Sequence, residues 1–187
     1  MKDENSSVFR FSVRDIIEIA LFTSIAIVLD TFVKIPVSAT GGSVNIATLP
    51  LFYIALTKKW FKGFIASGII FALVTCLLDG YGFATFPLDY LLGFGSVCVL
   101  GFFSPLIKID EGKVKFKSYL FLSIGVTVAF VLRFIFSTIS GIVIYGVDLV
   151  GSMVYQLTYL GPSYLAVIIL INLLLEPILK FSQKRSV

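Results

Sequence analysis

The chain has 187 residues, 58% hydrophobic and only 14% charged, whereas soluble domains are about 45–50% apolar and about a quarter charged. This balance excludes an ordinary soluble enzyme and describes a multi-pass protein of the cell membrane, of a length that suits a single transmembrane domain over 1–187. There is no histidine, which removes His-based catalysis and His metal ligation, and the net charge of +4 is spread between apolar runs, which points to the anionic lipid bilayer as partner and excludes nucleic acid.

Taken in order, the polar head from Met1 to Ser12 leads into an apolar segment without a small-residue cleavage pattern, so no signal peptide is expected. Six apolar runs follow. The first, Ile16 to Val33, is long enough to span. The second, about Val44 to Thr57, is short and follows Gly41-Gly42. The third, Gly63 to Leu78, ends at the turn signal Asp79-Gly80-Tyr81-Gly82. The fourth is Leu88 to Ile107, the fifth Tyr119 to Gly146, and the sixth Pro162 to Phe181. Cys76 and Cys98 lie within apolar runs and read as buried small hydrophobes, not as a disulfide. The expected fold is all-α: an integral membrane six-helix bundle.

Basic residues set the orientation. Lys2, Arg10, Arg14, Lys58, Lys59, Lys62, Lys108, Lys113, Lys115, Lys117, Lys180, Lys184 and Arg185 fall on one set of flanks; of the fifteen basic residues, only Lys34 and Arg133 do not. The positive-inside rule then puts both termini in the cytoplasm. The opposite loops, Lys34 to Ser43, Asp79 to Phe86 and Val147 to Gly161, face outward with Tyr81, Phe83, Phe86, Tyr155 and Tyr159.

One carboxylate stands out. Asp89 heads the fourth run just after Pro87, where a helix start tolerates proline and its dipole favours an anion. A charge at a membrane helix costs about 2.5–3.5 kcal/mol on insertion scales, so a partner is expected. Arg133 in the fifth run lies at a similar depth. Either the two form a structural bridge, or Arg133 contacts helix-end carbonyls, or Asp89 faces a cationic or amine-bearing ligand among aromatic rings, Tyr90 included, while Arg133 braces the site. On the same run Ser137, Ser140, Gly141 and Tyr145 form one polar stripe at 100° per residue. Tyr155, Gln156 and Tyr159 could close over a ligand, or simply anchor the membrane interface. Ala20 and Ser24, four apart on the first helix, would let another helix approach closely. No P-loop, G-x-S-x-G, H-E-x-x-H or Cys-rich metal spacing is present, so no catalytic residue, metal site or bound cofactor is expected.

Gly41-Gly42-Ser43 with Leu49-Pro50-Leu51, the Lys-rich turn with Gly63, Leu88-Asp89-Tyr90, Leu132-Arg133-Phe134, Ile139-Ser140-Gly141 and Tyr155-x-x-x-Tyr159 together resemble the substrate-binding S components of energy-coupling factor vitamin transporters, most closely the thiamine-specific group. The resemblance implies an outward-facing site under the outer loops. Its ligand-binding set would be Asp89, Tyr90, Ser137, Tyr145, Tyr155 and Tyr159. Ala20 and Ser24 would dock on a transmembrane coupling subunit, and ATP would be hydrolysed by two separate ATPase subunits. In that group an acidic residue at the position of Asp89 meets the aminopyrimidine. Ser137 stands where the family has a histidine, Tyr145 where it has a stacking tryptophan, and Leu160 where it has an asparagine. Thiamine is the favoured substrate, with a different small heteroaromatic or amine-bearing nutrient as the alternative; a membrane interaction protein without a ligand is the reading from another class.

Overall fold

The computed structural model describes residues 9–38, 41–110 and 113–184. Lys2 and Arg185 of the basic flanks, and positions 39 and 40 of the first outer loop, lie outside them.

Helix α1 runs Val13–Phe32. It starts at Ser12 because that hydroxyl accepts from the Asp15 amide while the Asp15 carboxylate accepts from the Ser12 amide, both at 3.1 Å, a reciprocal cap that satisfies otherwise unpaired helix-end donors. The chain then forms an antiparallel hairpin of β1 (Lys34–Ser38) and β2 (Gly41–Asn45). Val44 therefore belongs to a strand, and the helix expected from it begins at Thr48.

Helix α2 spans Thr48–Asp79 and joins the second and third apolar runs. It is broken at Lys59, whose φ of 69° and ψ of 172° are not helical. In a straight helix Ala55 and Gly63 would be about 12 Å apart, yet a side-chain carbon on Gly63 would lie 2.9 Å from the Ala55 Cα. The two limbs therefore fold back on each other around Lys59. Gly101 seats this reversal: a side-chain carbon there would come within 2.2 Å of the Trp60 backbone nitrogen.

Helix α3 (Phe86–Leu106) leads to a second short hairpin, β3 (Ile109–Asp110) with β4 (Lys113–Val114). Helices α4 (Phe116–Val143) and α5 (Leu149–Lys184) complete the described fold. The six separate helices expected from the sequence thus become five helical stretches among the described residues. Four of them, α2 to α5, are long and apolar enough to cross a membrane. Helix α1 carries Arg14, Asp15, Glu18 and Asp30 along its length and does not join that set. Two further boundaries moved. α4 ends at Val143, so Tyr145 lies in the following loop and not on the helix. α5 begins well before Pro162, so Tyr155, Gln156 and Tyr159 are helical and the last outer loop shortens to 144–148. A proline inside a membrane helix is tolerated when neighbouring groups take up the freed backbone, and Pro162 sits exposed within α5.

Leu51, Phe52, Ile54, Phe71, Leu100, Leu122, Ile171 and Leu175 form the fully buried centre, while Leu21, Val28, Leu77, Leu157 and Leu173 point outward. Such an apolar exterior requires lipid. Cys76 is a buried free thiol, whereas Cys98, also free, is only partly buried where burial was expected. One end of the bundle is tied by ions and rings. Asp15 accepts from Lys58 and Lys62, each at 2.9 Å, and Glu18 pairs with Lys58 at 3.2 Å and Arg14 at 3.1 Å. Trp60 stacks on Phe102 there at 5.4 Å. The other end gathers the end of α1, the first hairpin, the end of α2, the start of α3, the end of α4 and the start of α5 around a cavity.

Candidate functional site

That cavity has a volume of about 630 Å³, within the range of small-molecule sites. All six residues expected to bind a ligand line it: Asp89, Tyr90, Ser137, Tyr145, Tyr155 and Tyr159. Asp89 and Tyr159, 70 positions apart in sequence, thus meet because α3, α4 and α5 bring their ends to one place.

Asp89 is positioned by local backbone chemistry. Pro87 opens α3, and the first part of that helix, Phe86–Leu92, is wound as a π-helix, a form frequent at functional sites. The carboxylate accepts from the Ser140 hydroxyl at 2.5 Å. Among the described residues no ion pair joins it to Arg133. Instead the Arg133 guanidinium lies 4.1 Å from the centre of the Phe94 ring, and its buried Nε has no hydrogen-bond partner. Of the arrangements left open by the sequence, the direct bridge is absent among the described residues.

Tyr90 is buried and donates its hydroxyl to Asp79 at 3.0 Å. Asp79 also receives Lys34 at 3.4 Å, which ties the hairpin to the end of α2. Gln156 donates to the Ser137 carbonyl at 3.1 Å and accepts from the Tyr159 hydroxyl. Leu160, by contrast, is buried and is not part of the cavity lining. Ser152 donates to the Thr138 carbonyl at 3.0 Å, with Gly141 making room: a side-chain carbon there would fall 2.2 Å from the Ser152 Oγ. Tyr145 is more than half exposed and stands at the rim.

The first hairpin crosses these rings. Gly41 and Gly42 have φ of 116° and 74°, where side chains are strained. A side-chain carbon would meet the Tyr81 hydroxyl at 2.6 Å from Gly41, and the Tyr155 hydroxyl at 2.9 Å from Gly42.

Asp30, Asn45 and the cavity-facing place of Asp79 were not among the residues expected from the sequence. Asp30 carried a usable signal, a carboxylate within an apolar run. Asn45 and Asp79 became legible only through the hairpin and the end of α2. The lining thus holds Asp30, Asp79 and Asp89 against Lys34 and Arg133, one formal negative charge in excess. Ala20 and Ser24 lie elsewhere, exposed on α1. A second, more open groove of about 730 Å³ near the other end of α5 includes Tyr119, Asn172, Glu176 and Lys180. Its charges already pair, Lys180 with Glu176 at 2.5 Å, so the cavity is the better candidate.

A family model described as "Thiamine transporter protein (Thia_YuaJ)" matches residues 16–186. The chain belongs to the thiamine transporter protein family. It is therefore a multi-pass membrane transporter protein of the thiamine type and not an enzyme. A solved structure of ThiT from Listeria monocytogenes superposes with a TM-score of 0.69, covering 92% of this chain and 96% of that one at 19% identity. At that identity the likeness establishes a shared fold. No curated protein matches the chain by sequence.

Proposed function

We propose that this thiamine transporter protein is the high-affinity substrate-binding S component of an energy-coupling factor transporter, and that it captures thiamine in the cavity beneath the first hairpin. The observation that carries this reading is the cavity lining. It combines one excess negative charge with the phenols of Tyr81, Tyr90, Tyr155 and Tyr159, an environment complementary to a small aromatic monocation. Asp89 receives hydrogen-bond donors of the ligand, and Tyr145, Tyr155 and Tyr159 supply ring faces and hydroxyls. Ser137 widens the site where a relative would have a histidine.

The chain acts as one domain. The back-folded limbs of α2 count as two passes in this reading, giving a six-helix bundle with both termini in the cytoplasm and the cavity open to the outside. The alternation of chain ends supports it: Arg14, Lys58 and Lys62 meet at the basic end, while Asp30, Asp79 and Asp89 meet at the other. The chain itself holds no nucleotide; ATP is hydrolysed by two partner ATPases, and the Ala20 and Ser24 face docks on the transmembrane coupling subunit. Uptake of labelled thiamine tests this assignment. Cells lacking other thiamine transporters should accumulate it when this chain is expressed with a coupling subunit and ATPases, and not with the chain alone. Equal uptake by the chain alone would refute the S-component role.

A further inference from the structure

Three carboxylates line the cavity, and they are not equivalent. Asp79 already has a cation, Lys34 at 3.4 Å, and the Tyr90 hydroxyl at 3.0 Å. Asp89 accepts a short hydrogen bond from Ser140 at 2.5 Å. Asp30 is buried, and the contact it makes is with a neutral group, the Asn45 side-chain amide at 2.9 Å. Among the described residues no ion pair reaches it. That amide is fixed in turn: Asn45 Nδ2 also approaches the Ser43 hydroxyl at 3.3 Å, Asn45 Oδ1 accepts from the Ala47 amide at 3.2 Å, and the Asn45 backbone N–H donates to Ser163 at 3.1 Å. The carboxylate is therefore held in one orientation by β2 and α5. A buried anion is costly unless matched by a cation, and Arg133, the other cation on this lining, is stacked on Phe94. The cavity also lacks tryptophan and histidine side chains, so strong ring stacking is not available to a cation there, tyrosine being the weaker partner.

We propose that Asp30 is a specificity-determining residue that faces the permanent positive charge of the ligand ring, leaving Asp89 to receive its amine donors. This rests on the thiamine reading above and deepens it. Thiamine separates two such features, an amino group on one ring and a fixed cationic charge on the other. Asp30 on α1 and Asp89 on α3 supply two distinct anions for them.

Calorimetric titration of the full chain in detergent, with thiamine and with its neutral isostere carrying thiophene in place of thiazolium, tests this. The ratio of the two affinities should fall about 10- to 100-fold in Asp30→Asn, as expected for loss of a charge-assisted contact. It should remain in Asp30→Glu. Asp30→Ser gives a second neutral variant that can still accept from Asn45. Asn45→Ala, which frees the hairpin without removing the charge, should weaken both ligands alike. If Asp30→Asn and Asp30→Ser lower both affinities equally, or neither, Asp30 only anchors the hairpin and the assignment is overturned while the thiamine reading stands. If the unaltered protein binds neither compound, the thiamine reading itself fails, and this inference with it.

Discussion

Replacing Asp89 by asparagine separates ligand recognition from architecture at the start of α3. The substitution keeps the shape and removes the charge. In the structure the Asp89 carboxylate accepts from Ser140 at 2.5 Å, and an asparagine oxygen can accept the same hydroxyl. The folded protein should therefore lose only the charge-assisted part of one hydrogen bond, about 1 kcal/mol. Ligand affinity should fall much further. A hydrogen bond to a charged group contributes about 1.5–3 kcal/mol, so the dissociation constant should rise about 10- to 150-fold. Arg133 provides the control. Its guanidinium sits on Phe94 at 4.1 Å, without an ion pair to Asp89, so stability changes for Asp89→Asn and Arg133→Gln should add to within about 0.5 kcal/mol in the double variant. Thermal unfolding in detergent and thiamine titration on the two single variants and the double give all the quantities. A loss of about 3–5 kcal/mol in Asp89→Asn, partly restored by Arg133→Gln, is the signature of a broken buried ion pair. That result, or unchanged affinity in a folded Asp89→Asn protein, would refute the reasoning.

Three other outcomes follow from the fold. Lys59 occupies a backbone region that is essentially restricted to glycine, at a cost of about 1–3 kcal/mol, so Lys59→Gly should raise the unfolding temperature, whereas Gly101→Ala, which drives a methyl into the Trp60 backbone, should lower it; the opposite order would contradict the reversal between the limbs of α2. Ala20→Trp and Ser24→Trp should abolish coupled uptake while leaving binding by the isolated chain intact, because both side chains are exposed on α1 away from the cavity; full uptake in both variants would remove the docking role. In a background without Cys76 and Cys98, a cysteine at Lys115 should be protected from an impermeant thiol reagent in intact cells and one at Asp148 labelled; the reverse would turn the cavity toward the cytoplasm.

The membrane class, the long apolar helices and the polar stripe of α4 were legible because hydropathy and helical spacing are local properties. The similar depths of Asp89 and Arg133 followed from the rise along their helices, and both line the cavity, whereas Ser137 and Tyr155 were expected there from the resemblance. What escaped the sequence was non-local. The run from Val44 looked like a short helix, but Gly41 and Gly42 turn that stretch into a hairpin seated on Tyr81, Tyr155 and Tyr159. Pro162 looked like a helix start, yet α5 continues through it. The turn between the second and third runs was legible from Lys58, Lys59 and Lys62; what the sequence did not show is that helix resumes on both sides of a single break at Lys59, with the limbs held by the close approaches of Gly63 and Gly101. Asn45 and Asp79 came to line the cavity only when those turns brought the hairpin and the end of α2 to the start of α3.

The most direct test of the central claim is a calorimetric titration of the purified chain with thiamine. Saturable binding of one thiamine per chain is expected, with a matching rise in unfolding temperature, since a ligand at about 100 times its dissociation constant stabilises the folded state by about 2.7 kcal/mol. Absence of both heat and stabilisation, in protein that is folded and monodisperse, would contradict it.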